Sequence, residues 1–256
     1  LCQRIKQCRF TNIWQTNNST IETHFKILYN GHNMSYMWNE FNIKTFPAET
    51  IVYRDGVYCP DLSTLENKPI DKKYDLPVHI IYIGEITGNC RLSIELNSEN
   101  QPVFLTVKIK NEKPAFFNIF IKNTGKNSEI KGSVFIENKS ELNYECIAEH
   151  LSENTGILLK NRIYAGKNYK SVISGNAIIN KGCKNCNSDL NFLAMTEEGA
   201  KIEFMPAQEI HSIPKTADHS AGIYTPNDAQ ILYLRQAGLG ILEIKDVTKE
   251  AFLNDY

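Results

Sequence analysis

The most constraining feature of this sequence is a series of short β-rich segments, separated by polar turns, over residues 78–205. None of these segments keeps a 3.6-residue apolar period for three turns, so they predict strands rather than helices. About eleven strands with such short connections leave no crossover helices for a doubly wound sheet, and they predict a sandwich, a barrel or a β-solenoid. The predicted strands are Val78–Ile83, Leu92–Leu96, Val103–Ile109, Phe116–Ile121, Ser133–Ile136, Leu142–Ile147, Ile157–Tyr164, Ser171–Ile173, Ala177–Ile179, Asp189–Met195 and Lys201–Met205. Periodicity alone favours the solenoid and the sandwich equally.

The flanking segments have a different character. Asp55-Gly56 follows a short β-like run and predicts a hairpin turn, while the proline-rich residues 60–77 predict a linker. Pro226-Asn227-Asp228 offers a helix start, Gly238 offers its end, and Asp246–Leu253 predicts a second short helix. We therefore expect an N-terminal extension of uncertain fold over residues 1–48, a β core over 49–225 and a helical segment over 226–256.

The charge pattern excludes several classes of partner. Twenty-eight Lys and Arg against 29 Asp and Glu give a net charge of -1, with no basic field to attract nucleic acid or anionic lipid. The longest apolar stretches, such as Val78–Ile83, are far shorter than the roughly 20 residues of a membrane span. Residues 1–14 lack the apolar stretch of a secretory signal. Seven scattered cysteines indicate free thiols. We expect a cytoplasmic protein that binds neither nucleic acid nor membrane.

Two motifs make the sequence more specific. Met205-Pro206, His211, Ala217–Ile223 and Asp228–Leu239, in this order and spacing, resemble the C-terminal signature of the SufB/SufD family. Ile51–Ser63 resembles the turn-and-strand segment that opens the core domain in SufD-type members. The two motifs bracket about four fifths of the chain, whereas residues 1–48 resemble nothing in particular.

The resemblance implies a fold and a role. Members of this family have a right-handed parallel β-helix core followed by helices, which favours the solenoid over the sandwich. They are non-enzymatic scaffold subunits of SUF-type iron–sulfur cluster assembly, and each binds a SufC-type ABC ATPase through its C-terminal helices and a second SufB/SufD-type subunit in a dimer. Nucleotide binds to the ATPase. Consistently, this sequence lacks the phosphate-binding loop that an ATPase needs.

His219 matches the family's C-terminal histidine, which the resemblance places near the subunit interface where iron or the nascent iron–sulfur cluster is bound transiently. Neutral imidazole is an exchangeable iron ligand. A histidine that only makes a hydrogen bond at a strand-to-helix corner is the alternative. The Cys and Glu that some members carry beside this histidine are replaced here by Ala217 and Ser220.

Cys183-Lys184-Asn185-Cys186 is a second candidate, because two residues of spacing allow both sulfurs to face one ion. The pair supplies half a coordination sphere, so a closed site needs a partner chain or the imidazole of His211 or His219. Cysteines in a solenoid turn without a metal role, or a redox-sensitive pair, are the alternatives. His211 could join His219 as a ligand, but a histidine on a loop is more often a solvated side chain.

The helical segment supplies candidate partner-binding residues: Tyr233, Leu234, Leu239 and Phe252. Apolar side chains at helical spacing serve either to dock on the ATPase or to cap the solenoid. Two rival functions remain open: an interaction protein derived from the family without a cluster role, and a β-solenoid carbohydrate-active enzyme. The enzyme would need paired carboxylates, and Glu137, Glu141, Glu145 and Glu149 are scattered without an evident partner set.

Overall fold

The computed structural model describes residues 48–254. Its thirteen strands form a parallel β-solenoid of about seven turns, followed by two short helices. The predicted β-helix class and helical C-terminus are thus confirmed. The N-terminal extension, predicted over residues 1–48, lies outside the described residues apart from residue 48.

The strands are β1 (Glu49–Arg54), β2 (Val57–Tyr58), β3 (Val78–Glu85), β4 (Gly88–Leu96), β5 (Pro102–Asn111), β6 (Ala115–Asn123), β7 (Glu129–Asn138), β8 (Leu142–His150), β9 (Gly156–Ala165), β10 (Lys170–Ile179), β11 (Asn187–Thr196), β12 (Lys201–Ile210) and β13 (Thr216–Tyr224). Helix α1 spans Asp228–Gln236 and helix α2 spans Ile241–Phe252.

Apart from β2, the odd and even strands form separate sheets. One sheet has the order β13-β11-β9-β7-β5-β3-β1-β2, and the other has the order β12-β10-β8-β6-β4. Every pairing between strands of successive coils is parallel, and β2 alone pairs antiparallel, through the Asp55-Gly56 turn, whose residues both have positive φ. From β3 onward a strand of the first sheet is followed by a strand of the second, which is the alternation that defines this solenoid.

The core fills the space between the two sheets. Its inward columns are almost entirely apolar, as Ile109, Ile136 and Ile163 show, with no exposed surface at all. Alternation along each strand decides which residues enter: in β8, Leu142 and Tyr144 are buried while Asn143 is exposed. Such columns stabilise each coil only through its neighbours.

The described residues fall into two compact units, residues 48–224 with 252–254, and residues 225–251. Inside the helical unit, Leu234, Leu239 and Ile244 form a small buried cluster. Asn227 caps α1, since its side chain accepts a hydrogen bond from Gln230 N while the Gln230 side chain accepts one from Asn227 N. Neither helix is long and apolar enough to cross a membrane.

Candidate functional site

Apolar side chains of the last coil are exposed within the part of the solenoid that the structure describes. The inward column that runs through Ile136, Ile163 and Ala194 is completely buried, yet its final member, Ile223 in β13, is 58% exposed. Among the described strands, β12 pairs only with β10 and β13 only with β11. Within the described residues, both edge strands therefore lack a second strand neighbour and lie beside apolar side chains, which is the arrangement that recruits another strand.

His219 lies inside this last coil. It sits in the middle of β13 on the inward side, and its ring is tilted against that of Phe192 with 5.6 Å between the centroids. Burial lowers the pKa of His219, an effect that the Ala207 backbone and Asp189 partly offset. Neither ring nitrogen has a hydrogen-bond partner among the described residues. The ring nitrogens therefore have at most a weak contact with the Ala207 backbone, which leaves the imidazole a candidate ligand.

An acidic pair lies on the other side of the same strands. Asp189 in β11 and Asp218 in β13 are direct register partners, and they face outward because each neighbours an inward residue. Burial and the adjacent Asp218 raise the pKa of the Asp189 carboxyl. Sequence reasoning missed this pair, since only the strand register brings residues 29 positions apart together.

Cys183 and Cys186 occupy the first and last positions of a stacked turn. The same four-residue turn recurs in three earlier coils, as Ser98–Gln101, Gly125–Ser128 and Ser152–Thr155. Its third residue is always an asparagine with φ between 54° and 57°, a conformation that Asn tolerates better than most residues. The N–H of each of these asparagines donates a hydrogen bond to the next turn along the solenoid.

The thiols take the places of hydroxyl groups in this ladder. Ser128 Oγ donates to Ser98 O at 2.6 Å, and Cys186 Sγ donates to Ser152 O at 3.3 Å in the same way. Cys183 Sγ donates to His150 O at 3.4 Å. Both cysteines are buried, and burial together with the neighbouring Cys186 raises the pKa of the Cys183 thiol. The raised pKa of Cys183 favours its thiol over the thiolate that would bind a metal.

The SUF system FeS cluster assembly, SufBD core domain family matches residues 108–252. This chain belongs to the SufB/SufD family. The match covers most of the solenoid and the helices that follow it. No curated protein matches the chain. The SufB/SufD assignment places the chain in a family of the SUF system for iron–sulfur cluster assembly, as its C-terminal motif predicted.

The candidate ligands of this SufB/SufD chain do not converge. Cys183 and Cys186 pack against Ala217, two residues before His219, whereas His211 is exposed beyond the end of β12. Within residues 48–254, no three His, Cys, Asp or Glu side chains lie close enough to hold a metal ion. A closed site in this part of the chain would need ligands from a second molecule, and the metal roles of these four residues stay predictions.

The helical candidates are mostly buried. Leu234 and Leu239 belong to the small helical cluster, Phe252 packs with Phe135, Tyr164 and Met195, and Tyr233 is half-buried. The exposed apolar side chains of the helices are instead Leu232, Ile241 and Leu242. The last two were missed because α2 begins five residues before the predicted start. The partner-binding role of Tyr233, Leu234, Leu239 and Phe252 stays a prediction.

Proposed function

We propose that this chain is a non-enzymatic scaffold subunit of the SUF machinery, which docks a second SufB/SufD-type subunit and a SufC-type ABC ATPase. The observation that carries the proposal is the uncovered last coil, where an otherwise continuous apolar column ends at an exposed Ile223. A second subunit with a similar open end would cover these side chains and pair the free strand edges.

In this proposal His219 holds iron or a nascent iron–sulfur cluster transiently at the seam between the two subunits. The lowered pKa of its imidazole, whose nitrogens bond to no side chain among residues 48–254, supports the role, and the lack of a complete ligand set in the same residues fits a site that the partner completes. Cys183 and Cys186 would contribute only after they leave the turn ladder and lose their protons. The five cysteines of the described region are all free, which supports a reducing, cytoplasmic setting.

The ATPase would dock on the helical segment and would contact the exposed side chains of Leu232, Ile241 and Leu242. Nucleotide would bind to the ATPase alone, and its hydrolysis would change the scaffold through contacts that differ between the two nucleotide states.

The carboxylates that a carbohydrate-active enzyme would need have structural contacts instead. Glu137 pairs with Lys139, Glu145 accepts from Asn118, and Glu149 accepts from Asn180. We therefore propose no bond-making chemistry for this chain.

The test is co-expression with a SufC-type ATPase and a second scaffold subunit, followed by affinity capture. Leu242→Asp should abolish capture of the ATPase, while Ile213→Asp, at an equally exposed position outside the helices, should not. Ile223→Asp should abolish capture of the second subunit, while Val57→Asp, exposed in β2, should not. If Leu242→Asp still captures the ATPase and Ile223→Asp still captures the second subunit, both proposed docking surfaces are wrong.

Anaerobic reconstitution of the captured complex with iron and sulfide tests the cluster role. His219→Ala should lower the iron content. If it does not, and if Cys183→Ser with Cys186→Ser also leaves the iron content unchanged, the chain is an interaction protein without a cluster role.

A further inference from the structure

Gly175 lies in β10 on the inward side, directly below the ring pair formed by Phe192 and His219. An added Cβ at this position would lie 2.5 Å from two atoms of the Phe192 ring and 3.1 Å from His219 Nε2. The backbone of Gly175 is not in the left-handed region, so its conformation does not require glycine. What requires glycine here is space.

This space accommodates the last two rings in a series of aromatic side chains. Rings of Tyr82, Phe117, Tyr144, Phe192 and His219 follow one another through the interior, with 5.6 to 6.3 Å between neighbouring centroids. Phe192 is 2% exposed and cannot move outward without leaving the core. A methyl group at residue 175 would displace the Phe192 ring, and His219 rests on that ring.

We infer that Gly175 is a positioning residue, which keeps the Phe192 ring in place so that the His219 imidazole is held inside the last coil with its nitrogens unengaged. The inference rests on the proposed role of His219 as an iron ligand. It adds that the ligand is oriented by a residue of the opposite sheet and by an aromatic platform, since groups that orient a ligand commonly change metal affinity by about 10–100-fold when they are replaced.

Four variants of the full chain test this inference. Gly175→Ala removes the space and Phe192→Leu removes the platform. Gly132→Ala is the matched control, because a Cβ there would lie 2.5 Å from Leu105 O in a part of the core without His219. His219→Ala reports on the ligand itself. Thermal unfolding measures the structural cost of each change, and nuclear Overhauser effects between the rings of residues 192 and 219 report the geometry.

We expect Gly175→Ala and Gly132→Ala to lower the unfolding temperature similarly, whereas only Gly175→Ala loses the contacts between the Phe192 and His219 rings. In the captured complex, Gly175→Ala and Phe192→Leu should each weaken iron binding by about 10–100-fold, and Gly132→Ala should not. Should Gly175→Ala fail to fold, Phe192→Leu decides alone.

Two outcomes separate the inference from the function on which it rests. If His219→Ala loses iron while Gly175→Ala and Phe192→Leu keep it, the positioning role is wrong and the ligand role stands. If His219→Ala keeps iron, the ligand role is wrong, and the positioning role is overturned with it.

Discussion

The hydroxyl group of Tyr144 donates a 2.6 Å hydrogen bond to Oδ1 of Asn161 inside the solenoid, where both side chains are fully buried. Asn161 stands in a column whose preceding members are Val107 and Val134, and its amide also donates to Asn191 O. This polar pair therefore interrupts the valine column.

Replacing one member of the Tyr144–Asn161 pair should lower the free energy of unfolding more than replacing both. Tyr144→Phe leaves Asn161 Oδ1 buried without a donor, and we expect it to lower the free energy of unfolding by about 1–3 kcal/mol. Asn161→Val in the same chain continues the valine column, and the double variant should recover part of the loss. Urea denaturation of the four members of this cycle measures the coupling. Strictly additive changes would contradict the paired arrangement.

The turn ladder predicts that Cys186 is replaceable by serine. The hydroxyl of Cys186→Ser can donate to Ser152 O as Ser128 Oγ donates to Ser98 O, so the free energy of unfolding should change by less than about 1.5 kcal/mol. Cys186→Val cannot donate, and its bulk meets Thr155; it should be clearly less stable. Equal stability of the serine and valine variants in urea would contradict the ladder.

The free energy of unfolding should fall as the pH is lowered, because His79 binds a proton more readily in the unfolded chain. Burial lowers the pKa of His79 from 6.5 to about 4, so between these values the unfolded chain binds the proton more readily than the folded one. The stabilisation is complete above the unfolded value and is lost as the pH falls towards the folded value. For His79→Gln, the loss of stability between about pH 7 and pH 4.5 should be smaller by on the order of 2 kcal/mol.

The control for this substitution is His211→Gln, which makes the same change of side chain at an exposed position. Chemical denaturation at several pH values makes the comparison. A wild-type slope in His79→Gln would show that another group governs the acid sensitivity.

Loss of the α1 cap should destabilise α1 without destabilising the solenoid. Asn227→Ala removes the acceptor for Gln230 N and should cost about 1 kcal/mol of local stability, whereas Asn227→Asp keeps an acceptor and should cost little. Amide hydrogen exchange in α1 measures both. Unchanged protection of α1 in Asn227→Ala would mean that tertiary contacts alone maintain this helix.

Much of the architecture was accessible from the sequence, and the exceptions have physical causes. The predicted strands Ser171–Ile173 and Ala177–Ile179 are one strand, β10, because Gly175 is an inward residue that is selected for space rather than a turn. β12 continues through Pro206, where the prediction stopped. An edge strand with a single neighbour tolerates the missing N–H.

The candidate site was only partly predictable. The alternative to a ligand role for His219 was a hydrogen bond at a strand-to-helix corner. His219 instead lies in mid-strand and points inward. The prediction failed because the sequence of β13 was interpreted as a family motif and not as a strand. The role of Cys183 and Cys186 in the turn ladder follows from a recurring charged residue and asparagine in four turns. That signal was present in the sequence, yet the strand register is needed to align turns that are 27 to 31 residues apart.

The exposed last coil also affects how much of this chain can accumulate in a cell without its partner. A surface that accepts strands does not discriminate strongly between an intended partner and another copy of this chain. We expect a copy made in excess of its partner to associate with other copies or to be degraded. Matched synthesis of the two subunits would then be a condition of solubility as well as of assembly.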